Sequence, residues 1–142
     1  ALVLPIQTSC VNGEFEQILR LKEGEGLKDI AVSQAGIAGV GRRCVLMDTV
    51  APRVEITPPA SEVGNNNNLE IRGICESGLP VEIGPNGQSA TTSTTCQNGQ
   101  FRILFPTTGD GVKDLVATQK DPAGNTGRDD QRYTVDTVAP VV

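Results

Sequence analysis

The second half of the chain alternates hydrophobic and polar residues in short runs. In LEIRGICE (Leu69–Glu76), Leu69, Ile71 and Cys75 share one parity, so an extended backbone places them on one face. Comparable runs flank it: RVEITP from Arg53, PVEIG from Pro80, the Thr-rich ATTSTTC, FRILF from Phe101, VKDLVAT from Val112 and QRYTVDT from Gln131. Turn-forming clusters separate them, namely PNGQ, QNGQ, TTGDG and KDPAGNTGRDD. NNNN (Asn65–Asn68) reads as a polar loop before the second strand. No stretch keeps a helical period. About seven strands with regular turns predict an all-β chain folded as an antiparallel β-sandwich. Asn98-Gly99, set between two extended runs, predicts a hairpin.

The same phrases occur twice. CVNGEF (Cys10–Phe15) matches CQNGQF (Cys96–Phe101), and LKDIAVSQAG (Leu27–Gly36) matches VKDLVATQKDPAG (Val112–Gly124). RRCVLMDTVAPRV then matches DQRYTVDTVAPVV. Order is kept across short gaps, which is the signature of internal repetition. Residues 1–49 accordingly read as the C-terminal half of one module, 50–136 as a complete module, and 137–142 as the opening of a third. Proline cannot donate to a ladder and holds its predecessor extended. Each TVAP therefore predicts a stiff joint between consecutive modules.

The DTVAP start, the Asp-Pro-Ala-Gly-Asn loop (Asp121–Asn125) and the closing Asp136–Pro140 together resemble the bacterial Ig-like repeats of large surface adhesins and biofilm-associated proteins. The resemblance covers residues 50–136 and, more weakly, 1–49. It implies an extracellular, cell-surface location, neighbouring modules of the same protein as partners, and calcium at some joints. The sandwich topology brings Asp48 near Asp121 and Asn125, with Asp136 at the next joint. These oxygens suit Ca²⁺, which accepts loose oxygen coordination. The simpler reading, an ordinary turn with Asp48 accepting a backbone hydrogen bond, stands ahead of it. In residues 1–49 the matching loop, SQAGIAGVGR, has neither Asp nor Asn.

Cysteine usage adds to this picture. Cys10, Cys44, Cys75 and Cys96 form no CxxC pair, so disulfides are expected in place of zinc, in an oxidising compartment. Cys75 and Cys96 are expected to bridge within the complete module. Cys10 either pairs with Cys44, the reading favoured slightly, or matches a partner not in this chain, leaving Cys44 free or in an intermolecular bond. Four strands without the other three would expose an apolar face in residues 1–49. ALVLPI, at the start, also needs a cover. Either the chain is part of a longer array or another subunit supplies strands, with TVAPVV the candidate donor.

Charge and chemistry narrow the functions. The net charge is −5, with basic residues scattered, which argues against a nucleic-acid partner. No apolar run approaches the ~20 residues of a membrane span. There is no His, and no GxSxG, HExxH or phosphate loop. Asp129-Asp130 reads as a solvated loop pair. The expectation is no enzyme but a structural spacer module. The alternatives are a fibre subunit joined by strand donation and a glycan- or protein-binding module.

Overall fold

The alternating runs form strands where predicted, and one further strand appears. The computed structural model describes residues 6–21, 24–61 and 63–141. The apolar start Ala1–Pro5 and Val142 lie outside them. Among the described residues there are ten strands: β1 (Gly26–Ser33), β2 (Val40–Met47), β3 (Glu55–Ile56), β4 (Val63–Gly64), β5 (Asn68–Ile74), β6 (Pro80–Pro85), β7 (Thr92–Thr95), β8 (Gln100–Pro106), β9 (Gly111–Lys120) and β10 (Thr126–Val135). The chain divides between Met47 and Asp48 into two units, where the sequence placed the boundary after Thr49. The second unit also keeps the segment after Asp136, which the sequence assigned to a third module. Hydrogen bonds made by Asp48 and Thr137, described below, account for both shifts.

The second unit is a β-sandwich. One sheet has the order β3-β5-β8, and the other the order β4-β10-β9-β6-β7. All pairings are antiparallel except β4 with β10. Alternation drives the packing: Leu69, Ile71, Phe101, Ile103 and Phe105 point inward from the first sheet, and Val81, Ile83, Leu115, Ala117, Tyr133 and Val135 from the second. Strand β9 buries Leu115 with Ala117, so Val112, of opposite parity, faces water. Strand β4 was not foreseen; it is a two-residue edge strand just before the Asn run.

The Asn98-Gly99 turn departs from expectation in an informative way. Both residues have positive φ, 51° and 77°, as a type I′ turn requires, and Gln97 and Gln100 exchange both backbone bonds at 2.9 Å. Yet only that one bridge forms. Strand β7 pairs with β6, and β8 with β5. The turn hands the chain from one sheet to the other.

In the first unit, β1 and β2 form an antiparallel pair. Gly26 sits opposite Met47 and Asp29 opposite Cys44, which is the register of Gly111 with Val135 and Asp114 with Arg132 in β9–β10. An ion pair recurs on the outer face, Arg42–Asp29 in one hairpin and Arg132–Asp114 in the other. The Asn12-Gly13 turn repeats the Asn98-Gly99 turn, with φ of 54° and 83° and Val11 and Glu14 exchanging backbone bonds. Four strands were expected here, but two are described. The segment after Phe15 matches β8, which is held only by β5; no strand of that kind stands among the described residues of this unit.

Candidate functional site

The two Asp-Thr-Val-Ala-Pro segments carry the features most specific to this chain. At the first, the Val50 N–H donates to Asp48 Oδ1 at 3.0 Å. At the second, the Val138 N–H donates to Asp136 Oδ1 at 3.0 Å. Each aspartate thus closes a short Asx turn that sets the direction of the chain entering Ala-Pro. The turn reading of Asp48 is therefore the geometry observed.

The loop between β9 and β10 reaches the first segment. Asn125 Nδ2 donates to the Asp48 carbonyl at 2.9 Å and to Asp121 Oδ2 at 2.8 Å. The Asn125 backbone N–H donates to Asp121 Oδ1 at 2.9 Å. Asp121 is buried. Burial pushes its carboxyl up, but the Asn125 side chain and the backbone N–H groups of Asn125, Gly124 and Ala123 outweigh it and hold the group below the usual aspartate range. These residues form a hydrogen-bonded clasp on the entering chain.

At the other end of β9–β10, Asp110 Oδ1 accepts from the Thr137 N–H at 3.1 Å and from Thr137 Oγ1 at 2.8 Å. Asp136 donates its N–H to the Gly64 carbonyl at 3.0 Å. The ladder from Gly111–Val135 to Lys120–Thr126 separates the two ends by roughly 30 Å at ~3.4 Å per residue. Asp48, Asp121 and Asn125 are brought together, and Asp136 stands apart from them. As a cation site the clasp offers one carboxylate, whose two oxygens already accept from Asn125. Among the described residues no three acidic, cysteine or histidine side chains converge.

Cys75 and Cys96 are joined, with Cα atoms 5.9 Å apart. They lie just past β5 and β7, not within facing strands, and so pin one sheet to the other at one end. Backbone bonds seal the corner: Cys75 N–H to the Gly99 carbonyl at 3.0 Å, Gly78 N–H to the Cys96 carbonyl at 2.9 Å, and Cys96 N–H to the Leu79 carbonyl at 3.0 Å. The expected Cys10–Cys44 bridge does not form; both are free and exposed. The register explains why. Cys44 holds the position of Arg132, on the outer face of its hairpin, whereas Cys10 matches Cys96, which is buried in the second unit.

The roles of two polar residues, buried Gln119 and half-buried Asp129, escaped the sequence reading. Gln119 Oε1 accepts from the Glu76 N–H at 2.9 Å, and Nε2 donates to the carbonyls of Glu76 at 2.8 Å and Leu79 at 3.3 Å. It ties β9 to the loop beside Cys75. Its signal was present in the repeat, since AVSQ and VATQ both end in Gln. Asp129, taken for a solvated loop residue, lies in β10 and accepts from the Ile56 N–H at 2.7 Å, anchoring β3. Outside the core, Glu70 meets Arg72 and Arg102 across the outer face of the smaller sheet. Those guanidinium groups draw its carboxyl down to about 2. A shallow groove nearby is lined by Thr57, Arg72, Thr94, Gln97, Gln100 and Arg102 among others, with no carboxylate or thiol.

The sequence matches no known family model, and it matches no curated protein.

Proposed function

We propose that this chain is a structural segment of an extracellular bacterial surface protein, in which Ig-like sandwich modules of one kind follow one another through Asp-Thr-Val-Ala-Pro joints and act as spacers. The observation that carries this reading is the recurrence of one joint. The same phrase makes the same Asx turn twice, each time at the end of a hairpin of the same register. The clasp of Asp121 and Asn125 on Asp48 limits slack where the chain enters the module. The disulfide supports an oxidising, extracellular setting. The reading assigns the chain a mechanical task and no catalysis.

A spacer is pulled through its ends, so force spectroscopy tests the proposal. The Cys75–Cys96 bridge spans 21 residues, which it removes from the extensible length. At ~3.4 Å per residue, reduction is expected to lengthen the unfolding step of the second unit by about 70 Å. A unit that extends without a discrete step, or whose step is indifferent to reductant, would overturn the reading. Calcium at the joint would require Asn125 to turn its amide oxygen toward Asp48 and Asp121. The clasp as found predicts a melting temperature unmoved by calcium or chelator; a calcium-dependent rise would establish the cation-bound form.

A further inference from the structure

We propose that the outer face of the smaller sheet binds a carboxylate-bearing polysaccharide, with Arg72 and Arg102 gripping one uronate carboxylate and the hydroxyl and amide side chains beside them meeting the sugar hydroxyls.

The pairing of β5 with β8 sets Arg72 directly opposite Arg102. Both face outward, because Ile71, Phe101 and Ile103, of the other parity, are buried. Like charges in that relation repel. One acid offsets them: the Nε–H of each arginine donates to the same oxygen, Glu70 Oε1, at 2.7 Å for Arg102. Every other ion pair among the described residues joins one arginine to one acid, as in Arg42–Asp29, Arg53–Glu55 and Arg132–Asp114. Here two cations share one anion. Among the described residues nothing bonds to the Nη atoms of either guanidinium. The acid on β3, Glu55, is taken by Arg53 Nε at 2.8 Å. In a chain of net charge −5, this arginine pair carries more positive charge than the protein offsets. A planar carboxylate matches the free edges of two guanidinium groups.

The pair opens onto the groove described above, where Thr57, Thr95, Gln97 and Gln100 are all exposed. Hydroxyls and amides both donate and accept, as sugar hydroxyls do. No carboxylate lines the groove, and its one partly exposed apolar side chain is Ile74. That favours a sugar chain over a peptide, whose side chains would need apolar sockets. The parts are held in place. Gln97 and Gln100 exchange backbone bonds across the Asn98-Gly99 turn, beside the Cys75–Cys96 bridge, and the Thr57 N–H donates to the Arg72 carbonyl at 2.8 Å. Fixed groups meet a ligand at little ordering cost.

The repeat separates this site from its scaffold. Cys96–Phe101 matches Cys10–Phe15, so Gln100 and Arg102 stand where the first unit has Glu14 and Glu16. The turn recurs while the charge is reversed. The fold therefore does not demand the arginine. The only ring lining the groove, Phe101, is buried, so each contact is driven by charge, and repeated uronates along a polymer add avidity.

Backbone amide NMR spectra of the full chain, titrated with a short galacturonate oligomer, test this. The expected result is saturable shifts at Thr57, Arg72, Gln100, Arg102 and their neighbours. They should fade in about 1 M salt, where the Debye length is about 3 Å, and should be absent with the methyl ester of the same oligomer. Arg102→Gln leaves Glu70 with one arginine and is expected to weaken binding about tenfold. Glu70→Gln removes the competing carboxylate and is expected to tighten it; a purely structural ion pair would move stability and leave binding alone. The spectra themselves show that each variant is folded. No shifts, equal shifts with the ester, shifts centred elsewhere, or weaker binding in Glu70→Gln would overturn the proposal. So would tighter binding of a glutamate oligomer of matched charge, which would make the face one for acidic peptides. None of these outcomes touches the spacer reading, which is read from the unfolding step of the second unit.

Discussion

Gln119 and Tyr133 are both buried polar residues, and their prospects under mutation are opposite. Gln119 satisfies one backbone N–H and two carbonyls, so Gln119→Leu strands those groups and is expected to cost roughly 2–4 kcal/mol in denaturant unfolding. The Tyr133 hydroxyl is buried and meets no hydrogen-bond partner among the described residues, and burial lifts its pKa to about 12. Tyr133→Phe removes an unsatisfied group at nearly constant volume and should stabilise by about 1 kcal/mol. A loss of stability in Tyr133→Phe would show that the hydroxyl has a partner. Asp121 adds a pH signature. Its carboxyl is held below the usual range in the folded chain, so its contribution is fully present above the ordinary aspartate pKa and is lost as pH falls through the depressed one. Asp121→Asn should therefore flatten the acid limb of the stability profile while costing stability at neutral pH. An acid limb identical to that of the parent chain would refute the clasp as its source.

At the scale of elements, what was legible in the chain and what was not divide along one physical line. Strand parity is local, so LEIRGICE and FRILF announced both their strands and their buried faces. Partner choice is not local. Asn98-Gly99 encodes a tight turn, but the turn cannot say whether its flanking strands will pair, and here β7 pairs with β6 while β8 pairs with β5. Strand β4 is two residues long, too short to show parity. The clasp was legible because topology alone brings the β9–β10 loop to the entering chain; the roles of Gln119 and Asp129 depend on backbone partners 43 and 73 residues away. The disulfide at the sheet crossover should be the strongest single constraint on the second unit. Closing a 21-residue separation is worth about 3 kcal/mol. Cys75→Ala with Cys96→Ala is thus expected to lower the melting temperature by on the order of 15 °C, read by calorimetry. A drop of only a degree or two would mean that the backbone bonds at Leu79, Gly99 and Gly78 hold the corner unaided.

For the whole molecule, the decisive asymmetry is that every buried apolar residue among the described ones lies between Pro52 and Val135. The two units share a hairpin of one register, but only one of them covers it. A lone two-stranded hairpin in water is marginal at best, so identical ladders should differ sharply in persistence. Hydrogen exchange on dilute chain tests this residue by residue. Amides of β9 and β10 are expected to exchange only through global opening, slowed a few thousand-fold if the unit is stable by about 5 kcal/mol. Amides of β1 and β2 should exchange close to the rate of unprotected chain. Protection of β1–β2 equal to that of β9–β10 at dilutions where the mass is that of one chain would mean that the first unit is stable by itself. The exposed faces of Val32 and Val45 would then need no partner.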